Sequence, residues 1–284
     1  MSQRRACRTL DQPLSTQRYE PSKKEDEPPL IKRILEFVSR FPRFGYRQIT
    51  RLLRGEGWKV NAKRVYRLWR QEGLKVPKKT TKKRRLGTSD GGIIRRKAER
   101  MNHVWSVDFI FDRTTNGRSL KILVIVDDYT RECLELNVGR KFTSDDFVET
   151  LTRLFKIRGV PGFIRSDNGP EFISRRVRDF LASIDVGTSF IESGSPWQNG
   201  FVESFNSRFG DECPNCEEFN SVQEAREVIE HWRQTYNHQR PHSSLDGLTP
   251  AGFATRCATS TTVAKLLPLK RHIEPEPITQ PIPS

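Results

Sequence analysis

The chain has 284 residues, of which 35% are hydrophobic and 30% charged, which suffices for one core domain plus a small accessory domain. Its net charge of +15 predicts a polyanionic partner, with nucleic acid as the first candidate and an anionic membrane surface as the weaker one. The longest apolar run, residues 122–126, is far shorter than the roughly twenty residues of a membrane helix, and no apolar stretch follows the basic start of the chain. We therefore expect neither a membrane span nor a secretory signal.

Residues 1–28 are polar, charged and Pro-containing, and we interpret them as an ill-ordered arm. Residues 29–74 show three successive helix patterns, and the third begins at Asn61, a good N-cap residue. A short helix, a glycine-bearing turn and a basic helix are typical of a helix-turn-helix DNA-binding domain; a solvated positive helix face is the alternative. The candidate DNA contacts on the third helix are Lys63, Arg64 and Arg67.

Residues 75–98 are basic and contain glycines, which predicts a flexible linker that tracks a phosphate backbone. A plain solubilising linker is the alternative interpretation. The cations in its centre that we single out for DNA binding are Lys82, Lys83, Arg84 and Arg85.

Residues 99–258 alternate between strand and helix patterns and predict an α/β core domain. Three consecutive strands with short links favour an antiparallel meander. Residues 259–284 are rich in proline and lack periodicity, so we expect a disordered tail after one last helical turn near Pro250. The predicted strands are 104–111, 120–126, 133–138, 162–165 and 188–192, and the predicted helices are 144–155, 172–183, a helix around Glu203, and 221–238.

Three carboxylates stand out in this core. Asp108 lies in the middle of an apolar strand, Asp167 follows a strand at an Asn-Gly turn, and Glu203 lies on the polar face of an amphipathic helix. If they converge, they repel one another unless cations lie between them, and carboxylate oxygens select magnesium or manganese. The trio therefore predicts a two-metal site for phosphoryl transfer, with Asp108, Asp167 and Glu203 as both catalytic residues and metal ligands.

Other polar residues near these motifs have simpler explanations. Asp127 and Asp128 are rival metal ligands, and we expect one of them to bond the turn that follows. Glu171 begins a helix, where the helix dipole alone accounts for its charge. Asn199 precedes the Glu203 helix on a loop suited to gripping substrate, and Asn206, one turn after Glu203, is predicted to contact DNA or steady a carboxylate.

Thirty-five residues separate Asp167 from Glu203. With the segments around it, this spacing resembles insertion-sequence transposases of the OrfB type, whose core is similar to that of retroviral integrases. The resemblance covers roughly residues 30–257. The segments that carry it are 105–108 (WSVD), 126–131 (VDDYTR), 167–172 (DNGPEF), 198–206 (QNGFVESFN) and 236–237 (YN) with 240–245 (RPHSSL).

The resemblance implies an RNase H-like fold, a mixed sheet flanked by helices, after a small all-α helix-turn-helix domain. It also implies two Mg²⁺ or Mn²⁺ ions and strand transfer by transesterification. The implied partners are the inverted repeats of the element, a target duplex, further copies of the chain in a synaptic complex, and an upstream-frame protein or fusion. Five cysteines, an odd count without a secreted context, favour a reducing compartment. We expect a cytoplasmic, nucleoid-associated protein.

Two other functions remain open at this point. A DNA-binding regulator could retain the helix-turn-helix and lose catalysis, although three intact carboxylates argue against it. A ribonuclease acting on RNA-DNA hybrids could use the same core, although the basic N-terminal module argues against that. A metal-dependent nicking assay on duplex DNA and on hybrid substrate distinguishes the three.

Overall fold

The computed structural model describes residues 2–18, 25–77, 97–190 and 200–266. The chain divides into two compact units, Met1–Lys78 and Lys79–Ser284. Within the described residues, no helix combines the length and the apolar character needed to cross a bilayer.

The N-terminal unit is helical. Its helices are α1 (Gln3–Thr9), α2 (Leu14–Gln17), α3 (Glu27–Arg40), α4 (Tyr46–Gly55) and α5 (Ala62–Gln71). Helices α3, α4 and α5 pack around one apolar cluster, whose fully buried members include Leu30, Ile34, Ile49, Leu53, Val65 and Leu68. Asn61 caps α5 as predicted, because its side chain accepts a hydrogen bond from the backbone N–H of Arg64 at 2.7 Å.

The prediction of a mostly ill-ordered arm over residues 1–28 needs correction where the structure describes it, because two short helices form there. Helices α1 and α2 lie in this segment, and Cys7 of α1 is buried. Helices of seven and four residues are too short to show an apolar period in the sequence. Pro28 and Pro29 do not end a loop but occupy the first turn of α3, where proline lacks only an N–H that has no partner within the helix.

The second unit is built on one mixed sheet. Among the described residues, its strands run in the order β3-β2-β1-β4-β5. The pairs β1–β2 and β2–β3 are antiparallel, which confirms the predicted meander, whereas β1–β4 and β4–β5 are parallel. The strands are β1 (Val104–Arg113), β2 (Ser119–Asp127), β3 (Cys133–Gly139), β4 (Phe163–Ser166) and β5 (Gly187–Phe190).

Helices cover both faces of this sheet, which confirms the predicted mixed α/β architecture. One face packs against α6, α7 and α8, and the other packs against α9 and α10. The helices are α6 (Ser144–Arg158), α7 (Pro170–Ile173), α8 (Arg175–Ser183), α9 (Gly200–Glu212), α10 (Val222–His238) and α11 (Pro250–Leu266).

Two helix predictions need correction. The helix predicted over 172–183 is divided into α7 and α8 at Ser174, whose hydroxyl accepts from the N–H of Val177 and so starts a new helix. The single turn predicted near Pro250 is the long helix α11, which extends into the predicted tail. Residues 191 and 192 of the predicted fifth strand, and residues 267–284 of the tail, lie outside the described residues.

Helix α10 lies along the edge strand β3 and bonds to its backbone. The Arg226 guanidinium donates to the carbonyl of Val138 at 2.8 Å, and the Arg233 guanidinium donates to that of Cys133 at 3.1 Å. The Asn237 side chain accepts from the N–H of Cys133 at 2.9 Å and donates to its carbonyl at 2.8 Å. These side chains satisfy backbone groups that an edge strand otherwise presents to solvent.

Candidate active site

Strand β1 directs Asp108 toward α9. Side chains alternate between the two faces of a strand, and Trp105 and Val107 belong to the apolar cluster that includes α6 and α8. Ile110 packs instead against the cluster that includes α9 and α10. Asp108 shares the face of Ile110, and it is only partly exposed.

The register of the parallel pair β1–β4 places Asp167 beside Asp108. Ser106 pairs with Arg165, and two residues further along each strand lie Asp108 and Asp167. Neighbouring strands lie about 4.8 Å apart, so the two carboxylates start from adjacent backbone positions. Asp167 is the first residue after β4 and is exposed.

The turn after β4 fixes the Asp167 side chain. The N–H of Gly169 donates to Asp167 Oδ1 at 3.1 Å. A Cβ atom at position 169 would lie 3.1 Å from the same oxygen and 3.4 Å from the Phe172 ring, so a side chain here would press on both. The close approach of Asp167 and Phe172, and not an unusual backbone angle, explains why position 169 is a glycine.

Helix α9 brings Glu203 to the same face of the sheet. Val202, Phe205 and Phe209 are buried against the sheet, while Glu203 is exposed, as the amphipathic pattern predicts. One turn later, the Asn206 amide Nδ2 donates to Asp108 Oδ2 at 2.7 Å. Of the two roles predicted for Asn206, the structure shows support of a carboxylate.

The three carboxylates influence one another electrostatically. Burial raises the pKa of Asp108 to about 6, and the negative charges of Asp167 and Glu203 raise it as well. The hydrogen bonds from the Phe109 N–H and from Asn206 act in the opposite direction. A partly buried acid with two like charges nearby is characteristic of a site that receives a cation.

The donor atoms fit a hard divalent cation. Three carboxylates face one region, and Oδ1 of Asn206 is buried without a hydrogen-bond partner. Across residues 2–18, 25–77, 97–190 and 200–266, however, no three His, Cys, Asp or Glu side chains are already arranged around one ion position. The side chains of Asp167 and Glu203 are both exposed and therefore accessible to an ion from solvent.

The rival carboxylates Asp127 and Asp128 both have structural partners. Asp127 accepts hydrogen bonds from the N–H groups of Asn102, Tyr129 and Thr130 at 2.7, 2.8 and 2.9 Å, which confirms the predicted bond to the turn. Asp128 forms a buried ion pair with Arg165 and accepts from the Ser106 hydroxyl at 2.7 Å. Ser106 and Arg165, which both bond to Asp128, precede Asp108 and Asp167 by two residues each.

Comparisons with known proteins match both units. Two family models described as integrase core domain match residues 98–196 and 184–250, and one described as an HTH-like domain matches residues 24–84. An insertion element IS407 protein of 31.7 kDa from Burkholderia multivorans is 38% identical over 260 residues, covering 90% of this chain and 91% of the relative. The chain belongs to the insertion-sequence transposases.

Two further likenesses are more distant. The putative transposase InsK of element IS150 from Escherichia coli is 28% identical to this transposase, over 74% of this chain and 77% of the relative. The magnesium-bound catalytic core domain of HTLV-2 integrase is 22% identical, with a TM-score of 0.42, over 56% of this chain and 99% of that one.

Of the predicted DNA contacts on α5 of the transposase, two are engaged within the N-terminal unit. The Arg64 guanidinium donates to both carboxylate oxygens of Asp26, at 2.6 and 2.9 Å, and Arg67 forms an ion pair with Glu27. The Arg64 side chain is 13% exposed and that of Arg67 is 48% exposed. Lys63 is exposed. The predicted contacts outside the described residues are Lys82, Lys83, Arg84, Arg85 and Asn199.

One ion pair of the transposase was missed at the sequence level. The helix dipole alone was expected to account for the charge of Glu171, but its carboxylate bonds to Lys121 of β2. Burial raises the pKa of Glu171, but the hydrogen bond and charge of Lys121 outweigh it and bring the pKa below its usual value. The two residues are fifty positions apart, and no local pattern links them.

Proposed function

We propose that this transposase cleaves DNA at the ends of its element and joins the ends to target DNA by transesterification. Asp108, Asp167 and Glu203 are the metal-binding catalytic residues. The observation that supports the proposal is the register of β1 and β4. Ser106 pairs with Arg165, and Asp108 and Asp167 follow two residues later, while α9, which carries Glu203, packs on the same face as Ile110.

The side chains of the chain have separable tasks in this reaction. Asp108 and Asp167 hold cations beside the scissile phosphodiester, and Glu203 completes the set from the helix. Asn206 keeps the Asp108 carboxylate oriented through its 2.7 Å hydrogen bond. Two Mg²⁺ or Mn²⁺ ions, when bound, supply Lewis acidity toward the attacking and leaving oxygens.

The N-terminal unit is the proposed DNA-recognition module. Lys63 is exposed on α5, and Arg67 keeps about half of its side chain accessible, so both are available to phosphates. The net charge of +15 supports association with the inverted repeats and a target duplex. Because transposition needs two ends held together, we propose that several copies of the chain assemble on the DNA.

The substitution Glu203→Gln tests this function. The variant should bind labelled element ends as the wild type does, because one exposed carboxylate is replaced by an isosteric amide, and it should lose Mg²⁺-dependent nicking and joining. Glu149→Gln is the matched control, since Glu149 is exposed on α6 at the opposite face of the sheet. Cleavage and joining by Glu203→Gln at the wild-type rate would contradict the assignment.

A further inference from the structure

Lys121 lies on the α7 face of the sheet, opposite the face of Asp108. It pairs in register with Phe111 on β1, and its ammonium group is 4.0 Å from the centre of the Phe109 ring and 5.5 Å from that of Phe111. The same ammonium forms an ion pair with Glu171 on α7. Both side chains are mostly buried, at 13% and 21% exposure, so this pair is less screened by solvent than a surface pair.

Phe172, the neighbour of Glu171, anchors α7 to the sheet. Its ring stacks on that of Phe109 with centroids 4.9 Å apart and meets the edge of Phe147 at 5.0 Å. Phe109 therefore contacts both Phe172 and the ammonium of Lys121. The apolar contact holds the short helix against β1, and the ion pair holds it against β2.

This helix begins at the turn that fixes Asp167. Around Gly169, the position that a Cβ would occupy lies 3.1 Å from Asp167 Oδ1 and 3.5 Å from Glu171 Oε2. Both carboxylates therefore lie close to the same point beside Gly169. Without a cation for Glu171, its negative charge repels Asp167 and competes with it for any cation nearby.

We propose that Lys121 is a positioning residue for Asp167. It neutralises and restrains Glu171, so that Asp167 keeps the orientation in which it serves the metal site and Glu171 stays outside that site. This inference rests on the proposed function, because it assigns a support to one of the three proposed ligands. Lys121 itself touches neither DNA nor metal in this role.

The test measures Mn²⁺ affinity of the full-length protein by calorimetry, and nicking of labelled element ends as a function of Mn²⁺ concentration. Lys121→Met keeps most of the side-chain stem and removes the charge. We expect it to weaken Mn²⁺ binding about 10- to 100-fold, the range for removing an outer partner of a metal ligand, with unchanged DNA affinity. Lys121→Arg should retain the wild-type affinity, and so should Lys156→Met, an exposed lysine on α6.

The double variant Lys121→Met with Glu171→Gln separates charge from packing. Because it leaves no uncompensated carboxylate, it should recover most of the Mn²⁺ affinity that Lys121→Met loses. Equal losses in the single and double variants would overturn the inference, as would wild-type affinity in Lys121→Met. If Lys121→Met does not fold, Lys121→Gln carries the same comparison, since it keeps a hydrogen-bond donor for Glu171 without the charge.

The outcomes distinguish the inference from the proposed function. A wild-type protein that cleaves with Mn²⁺, together with a fully active Lys121→Met, overturns the inference and leaves the function standing. A wild-type protein that binds Mn²⁺ without cleaving, together with weakened binding in Lys121→Met, contradicts the function and supports the inference.

Discussion

In the sheet unit three carboxylates approach one another, whereas in the helical unit arginines lie against carboxylates. Asp108 is partly buried near Asp167 and Glu203, and its pKa is raised to about 6. In the N-terminal unit, Asp26 and Glu27 are bonded to Arg64 and Arg67 on the basic helix. Both regions are rich in charged residues. In the N-terminal unit the charges are paired with opposite charges, whereas in the sheet unit like charges lie near one another.

The difference shows which charges remain available for a ligand. Arg64 is committed to an internal partner, so its position on a basic helix does not make it a DNA contact. The Asp108 carboxylate accepts bonds from neutral groups, an amide and a backbone N–H, and faces two like charges. Like charges held close together destabilise a protein, so their presence at one place in the fold points to a functional site.

The largest predicted effect is on the stability of the protein and concerns a buried ion pair in the sheet unit. Arg165→Met leaves the fully buried Asp128 without its cation, which should cost about 3–5 kcal/mol of unfolding free energy. Urea unfolding of the single variant measures this cost.

The matched double variant combines Arg165→Met with Asp128→Leu. Since both charges of this buried pair are removed, it should be closer to the wild type in stability than Arg165→Met. A cost below about 1 kcal/mol for Arg165→Met alone is the value expected for a surface pair. It would show that the ion pair between Asp128 and Arg165 does not stabilise the sheet beneath the site.

The next effect concerns the amide that supports Asp108. Asn206→Ala should weaken Mn²⁺ binding and metal-dependent cleavage about 10- to 100-fold, because the Asp108 carboxylate loses the bond that orients it. Asn215→Ala, at an exposed position beyond the end of α9, serves as the control. Unchanged metal affinity in Asn206→Ala would remove Asn206 from the site.

The smallest effects compare two cations on α5. Lys63→Ala should weaken duplex binding across sequences and reduce the salt slope of the affinity by about 1. Arg64→Ala should leave that slope unchanged, because Arg64 pairs with Asp26 at 2.6 Å and with Glu27 at 3.7 Å within the N-terminal unit. Affinity measured at several salt concentrations decides between them. A reduced slope in Arg64→Ala would return this residue to the DNA interface.

The residues of the core could be predicted from sequence because each signal was local. The apolar face of Phe205 and Phe209 fixes the direction of Glu203, and the Asn-Gly turn fixes the end of β4. The meander follows from three strands with short links. The spacing of Asp167 and Glu203 indicated the transposase family, which the periodicity of apolar residues does not reveal.

The partners of charged residues could not be predicted in this way. The pairs Asp128–Arg165 and Lys121–Glu171 join residues far apart in sequence, and only the tertiary fold brings them together. Arg64 follows Lys63 on the same basic helix, so the sequence does not distinguish the two cations. Their environments differ because Arg64 donates to Asp26, the residue that precedes α3. Helices α1 and α2 were missed because they are too short to show a period.

The central claim is that Asp108, Asp167 and Glu203 bind divalent ions together. Anomalous diffraction from crystals of the transposase with Mn²⁺ and an element end tests it most directly. We expect Mn²⁺ bound by the Asp108 and Asp167 carboxylates, with oxygen distances of about 2.1 Å, and Glu203 turned toward the ions. Crystals saturated with Mn²⁺ in which the ions bind elsewhere, and Asp108 remains bonded only to Asn206 and the Phe109 N–H, would contradict it.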